Sequence, residues 1–247
     1  MFRAGRWLLC QHSLSKIVYF IRNMKIGIII AMDVEYRRML DVLGGKPQGR
    51  IGGNDVVLWQ CGIGKVNAAI GTARLVHEHH PDCILSTGLA GGIDNSLGVM
   101  DVVVGSQTVY HDVWCGMGNA YGQVQGMPER FDAHPVLLQC VEGIADRETM
   151  QVKQGLICTG DQFITDREAL SRIKSRFPDG LACEMESAAI AQSCHIYGIP
   201  FMSIRVISDT PGNTDNHQQQ WDEFLASMGE RSFLFMKQYL CSLPTQL

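Results

Sequence analysis

No uninterrupted apolar run in this sequence approaches the roughly 20 residues that a membrane-spanning helix needs. The nine cysteines are odd in number and never spaced CxxC, which argues against a closed disulfide framework and against the common zinc-site spacings. Set mostly within apolar runs, they read as reduced core residues of a cytosolic protein. Neither a GxGxxG nor a Walker A pattern occurs, so nucleotide phosphate is not an evident target. Acids and bases are interspersed and sum to a net charge of −4, which argues against a nucleic acid or a membrane surface as partner. No internal repeat or low-complexity linker divides the chain. Its 247 residues, 46% of them hydrophobic, can bury one large core.

Residues 1–23 lack acids altogether, and polar residues from Gln11 to Lys16 break their apolar positions. They have no continuous apolar segment with a small-residue cleavage site, as a signal peptide would need. The expectation is a leader or non-native start with no fold of its own, and a single domain over 24–247 with Met24 as the functional start.

From Lys25 the chain alternates between short apolar runs and amphipathic stretches. KIGIIIA (25–31) reads as a buried strand, and the stretch to Leu43 as a helix opened by Asp33 and Glu35. DVVLWQC (55–61) reads as a strand, Gly62-Ile63-Gly64 as a turn, and Lys65 to His80 as a helix. His77, His79 and His80 at its end are ordinary for a helix C-terminus and, with no further ligand evident, predict no metal site. CILST (83–87) is a short strand running into Gly88-Leu89-Ala90-Gly91-Gly92, whose glycines let backbone approach a ligand closely. Further strands are expected at 101–110, at 151–158, just before Glu184 and at 201–208. Helices are expected at 135–147, 166–177, from Ser187 to Tyr197 and at 221–240. The long segment 111–130, rich in glycine, methionine and aromatics, reads as a functional loop. Alternating strands and helices predict one α/β domain with a largely parallel or mixed sheet.

Open α/β sheets bind ligands outside the carboxyl ends of their strands, and several polar residues fall there. Glu35 follows the first strand, and Gly88, Gly91 and Gly92 follow the third. Phe163 and Ile164 lie beyond the strand at 151–158. Glu184 and Glu186 flank Met185 between an apolar run and a helix, Arg205 lies inside the last strand, and Asp209 ends it. Carboxylates buried there must be hydrogen-bonded, protonated or turned toward a polar ligand, although Glu184 and Glu186 could also simply favour a helix N-terminus. Together they predict an acidic crevice with an aromatic wall, repelling anions and receptive to hydroxyls, a water and a protonatable heterocycle.

The strings KIGIIIAMDVE, CGIGKVNAAIG, STGLAGG, YHD, TGDQFI, CEMESAAIA, RVISD and WDEFL occur in order from Met24 to about Leu240. They resemble the 5'-methylthioadenosine/S-adenosylhomocysteine nucleosidases of the nucleoside phosphorylase superfamily. The resemblance implies a three-layer α/β/α sandwich around a mixed, partly barrel-like sheet, usually a homodimer, with a nucleoside substrate and no cofactor. It implies hydrolysis of an adenine N-glycosidic bond. Asp209, steadied by Ser208, would protonate adenine N7, and Glu35, with Arg205 in its network, would activate water. Glu186 would hold the ribose hydroxyls, Met185 would pack on the sugar, and Phe163 and Ile164 would hold adenine. Met32, Ala90, Gly91, Glu184 and Trp221 complete the implied binding set. Plainer accounts make Phe163 a loop anchor, Met185 core filling, and Arg205 an ion-pair partner of a buried acid; His111 and Asp112 read as shaping their loop.

Two positions depart from the resemblance: Leu89 stands where a serine is usual, and residues 114–125 lack the usual aromatic pattern. Both bear on the substrate, so hydrolysis of a futalosine-like nucleoside stays open. A phosphorylase would need arginines around a phosphate, and the first strand ends Ile30-Ala31-Met32 without one. An inactive nucleoside-binding protein is the remaining alternative, against which stands the joint presence of Asp209, Glu35 and Glu186.

Overall fold

The computed structural model describes residues 23–144, 151–210, 219, 221, 222, 224 and 231–247. Residues 1–22 of the expected leader, the end of the expected helix at 135–147, residues 211–218, and residues 223 and 225–230 of the expected helix at 221–240 lie outside the described residues.

Among the described residues, nine strands form one mixed sheet: β1 (Lys25–Ile30), β2 (Gln48–Ile51), β3 (Asn54–Gln60), β4 (Cys83–Gly92), β5 (Val102–Tyr110), β6 (Phe131–Asp132), β7 (Val152–Thr159), β8 (Gly180–Glu184) and β9 (Phe201–Asp209). β4, β8, β7, β5 and β9 pair in a closed circuit, because β9 bonds both β5 and β4. Ala90, Ile207, Val103, Ile157 and Ala182, one from each ring strand, pack together as the filling of this small barrel. β1, β3 and β2 extend the sheet outward from β4. The implied barrel-like mixed sheet is therefore present.

Helices cover both faces. α1 (Asp33–Val42), α3 (Pro135–Gln139) and α6 (Arg231–Ser242) pack with Met39, Leu137 and Tyr239 against one side of β1 and β4. α2 (Lys65–His79) and α5 (Ser187–Tyr197) pack with Leu75 and Ile190 against the other, and α4 (Arg167–Arg176) lies over β7 and β8. β1 is buried on both faces, which is why it reads as an unbroken apolar run. The described structure begins by burying Met24, whose carbonyl accepts from Asp55.

Some expectations need correcting. The glycine run 88–92 is the second half of β4, because β9 pairs with it as far as Gly91. The expected helix at 135–147 narrows to a 3-10 turn after Gln139. β2 and β6, short edge strands, had no apolar signature to predict them.

One feature of the sheet positions the site. Along a single edge of β4, Cys83–Ser86 pair with β1, whereas Gly91 and Gly92 pair with β8, so the sheet forks over residues 87–90. β8 runs antiparallel to β4, and its C-terminal end returns toward this fork carrying Glu184, Met185 and Glu186.

Candidate active site

The fork opens into a cavity of about 420 Å3 lined by Met32, Leu89, Ala90, Gly91, Phe163, Ile164, Glu184, Met185, Glu186, Asp209 and Trp221, together with Ala31, Ile63, Gln162 and Cys183. Ten of the thirteen residues singled out from the sequence thus reach one cavity. Glu35, Arg205 and Ser208 stand behind its wall.

Glu35 lies in the first turn of α1 and is buried. Its two carboxyl oxygens accept from the amides of Leu89 (2.8 Å) and Met32 (2.9 Å). The Leu89 amide is available because β1 has already diverged from β4 at that point. Gly88 is required beside it: a Cβ there would lie 2.7 Å from Glu35 Oε1. Burial pushes the Glu35 carboxyl above its ordinary range, against the opposing pull of both amides and of the Arg205 guanidinium.

Asp209 is set by a bulge: Ala90 pairs with Ile207 and Gly91 with Asp209, so Ser208 is an extra residue in β9. Bulges re-aim side chains. Here the Ser208 hydroxyl donates to Asp209 Oδ1 at 2.6 Å, and it also lies 3.2 Å from the Ala90 carbonyl.

Glu184 and Arg205 form a buried ion pair at 2.7 Å, with each side chain 2% exposed. Arg205 also donates to Ser86, and Glu184 also accepts from the Thr159 hydroxyl and from the amides of Glu186 and Ser187. Burial alone would raise the Glu184 carboxyl, but Arg205 and these donors outweigh it and hold it below the usual carboxylate range. The direct carboxylate partner of Arg205 is therefore Glu184, and Glu35 feels its charge only at a distance.

Glu186 behaves differently two residues on. Burial and the neighbouring Glu184 carboxylate push its carboxyl upward, although the Gly64 amide donates to its Oε1 at 2.9 Å. Two acids in one sequence motif are thus driven apart by surroundings, Glu184 charged and Glu186 prone to hold a proton. At the mouth, the half-exposed Phe163 ring meets Trp221 edge-on, with centroids 5.6 Å apart.

Sequence reasoning passed over Ala31, Ile63, Gln162 and Cys183. Gln162 sits inside the TGDQFI string, and Ile63 inside a turn read only as a turn. The loop 111–130 contributes nothing to the cavity wall; Trp114 and Met117 are exposed on its surface. Among the described residues, no cluster of three His, Cys, Asp or Glu side chains suited to a metal ion occurs.

A family model of the Phosphorylase superfamily matches residues 25–240. The 5'-methylthioadenosine/S-adenosylhomocysteine nucleosidase of Chromohalobacter salexigens is 43% identical over 203 residues, covering 76% of this chain and 85% of its own length. The solved nucleosidase of Colwellia psychrerythraea in complex with adenine superposes with a TM-score of 0.83 at 35% identity, over 92% of this chain and 98% of its own. Futalosine hydrolase of Helicobacter pylori shares the fold at a TM-score of 0.79 but is 26% identical, over 89% of this chain and 98% of its own. By sequence and by fold, this chain belongs to the phosphorylase superfamily and, within it, to the 5'-methylthioadenosine/S-adenosylhomocysteine nucleosidases.

Proposed function

We propose that the cavity hydrolyses the N-glycosidic bond of 5'-methylthioadenosine and S-adenosylhomocysteine, releasing adenine and the 5-thioribose sugar. The observation that carries this is the division of labour among its carboxyls. Asp209 is oriented by Ser208, Glu35 is held by two amides, and Glu186 keeps a second oxygen with no protein partner among the described residues. Adenine stacks on Phe163 beside Ile164, and the ribose lies over Met185 with its hydroxyls at Glu186. As the C1'–N9 bond breaks, its electron pair goes to the purine and Asp209 gives a proton to N7. Water attacks C1' and loses a proton to Glu35, whose proton affinity burial has raised, as a general base needs. Glu184 stays out of the chemistry: its oxygens are taken by Arg205, Thr159 and two amides, so it holds the Met185-Glu186 turn in place.

Phosphorolysis is disfavoured on electrostatic grounds. No Lys, Arg or His lines the cavity among the described residues, and Arg205 is committed to Glu184 and Ser86. Incubating the protein with methylthioadenosine, with and without phosphate, and assaying free adenine tests the reading. Release independent of phosphate is expected; a requirement for phosphate, or turnover of futalosine alone, would overturn it.

Leu89 is buried and packs with the core, and it holds Glu35 through its backbone. Leu89→Ser therefore keeps the amide contact: kcat should stay within about threefold or rise. Stability should fall by about 2 to 4 kcal/mol, as for other large-to-small core changes, read from the urea midpoint. A collapse of kcat would mean that the leucine side chain contacts substrate.

The protein further reads as a cytoplasmic homodimer whose folded unit runs from Met24. The eight described cysteines are free thiols, as in a reducing compartment, and no described helix is long and apolar enough to cross a membrane. Ile63, Val66 and Ile70 form an exposed apolar stripe of 50%, 69% and 56% exposure beside the cavity mouth, the kind of patch that marks an interface. Val66→Asp with Ile70→Asp should convert dimers to monomers in sedimentation; an unchanged mass would place the interface elsewhere.

A further inference from the structure

The start of α2 carries two adjacent amides, and each receives a carboxylate from a different loop. Gly64 N–H donates to Glu186 Oε1 (2.9 Å) and Lys65 N–H to Asp161 Oδ1 (2.8 Å). Asp161 lies two residues before Phe163 in the turn after β7. Asp112, just beyond β5, closes the circuit: it takes the Lys65 ammonium on both oxygens at 2.8 Å and accepts from the Asp161 amide at 2.9 Å. Gly64 fits because its φ of +92° favours glycine and because a Cβ would come to 3.0 Å from Asp161 Oδ1.

Magnitudes decide what this circuit is for. Asp161 is about half-exposed and meets the Lys65 ammonium at 3.7 Å, and an ion pair so placed contributes roughly 0 to 1 kcal/mol to stability. A contact worth so little to folding nevertheless ties the turn bearing Phe163 to the carboxyl of Glu186 through one rigid helix end. Reaction geometry is far more sensitive: a misplacement of about 1 Å can cost about a hundredfold in rate.

Building on the nucleosidase reading, we propose that Asp161, Lys65 and Asp112 are positioning residues that hold the base-binding turn and the ribose-binding Glu186 in register across the start of α2. None of the three lines the cavity. Asp161→Ala frees the turn from the helix, whereas Asp161→Asn keeps an oxygen for the Lys65 amide.

The test measures kcat and KM for methylthioadenosine, calorimetric affinity for free adenine, and the thermal midpoint. Asp161→Ala should lower kcat/KM at least about tenfold, mainly through KM, and should weaken adenine binding with the midpoint almost unmoved. Asp161→Asn should recover most of both losses. In the Glu186→Gln background, Asp161→Ala should cost less than it does in the wild type, because the two act through one helix end. A kcat/KM within about threefold of wild type, a loss that follows a falling midpoint without rescue by asparagine, or strict additivity with Glu186→Gln would overturn the proposal. If the wild type releases no adenine from methylthioadenosine, the nucleosidase reading fails instead. The adenine affinities of the Asp161 variants then decide the positioning claim by themselves.

Discussion

Asp209→Asn lowers kcat at least about a hundredfold and leaves KM for methylthioadenosine nearly unchanged. Adenine is a poor leaving group as an anion, so a carboxylic acid that protonates N7 while the bond breaks contributes mainly in the transition state. General acid assistance is typically worth about 10² to 10⁴-fold, or roughly 3 to 5 kcal/mol. Asparagine preserves the shape at the end of β9 and can still accept from the Ser208 hydroxyl, but it has no proton of suitable acidity to give. Phe163, Ile164 and Glu186 keep their ground-state contacts, which is why the loss falls on kcat. Steady-state kinetics decide the matter. Near-normal kcat, or a loss confined to KM, would remove Asp209 from the role of acid.

Arg205→Met is the substitution expected to cost most in stability. It leaves the Glu184 carboxylate buried beside a thioether, and breaking a buried pair in this way costs about 3 to 5 kcal/mol. The deficit has a defined pH dependence. In the wild type the depressed Glu184 carboxyl contributes stability above its unfolded value near 4.5, and that contribution is lost as pH falls through the folded value. Without Arg205 the folded value moves upward. The variant's deficit is then full at neutral to alkaline pH and shrinks on acidification, once Glu184 takes up a proton. Adding Glu184→Gln should restore more than half the loss, since the buried charge is gone. Urea melts of both variants at pH 5 and pH 8 test this. A single-variant deficit under about 1 kcal/mol, or one that grows toward acid, would contradict it.

The chain advertised its strands because those around the site are buried on both faces and cannot hide an apolar run: KIGIII and FMSIRVIS were legible for that reason. Residues gathered at strand ends were legible too, since a carboxylate such as Glu186 or Asp209 stands out where burial is expected. What the sequence could not convey was partnership. Whether Arg205 faces Glu35 or Glu184 depends on β8 returning antiparallel along β4, a long-range pairing with no local signature. The strand character of Gly88–Gly92 was likewise masked. Glycine there reads as a loop, yet it is selected by how closely Glu35 and the neighbouring strands approach. Asp161 and Lys65 look like ordinary surface charges until the fold sets them at the same helix end.

The closed circuit of β4, β8, β7, β5 and β9 also bears on how the protein is made. β9 is the last described strand to leave the ribosome, and it alone pairs directly with both β4 and β5. Until residues 201–209 emerge, the inner edges of both strands present unpaired backbone groups, an invitation to intermolecular pairing. During that interval Asp209 and its supporting serine cannot reach the site. A ribosome-bound product ending before Phe201 therefore lacks the proposed acid and has an open barrel. Aggregation risk and catalytic incompetence end together when a single strand docks.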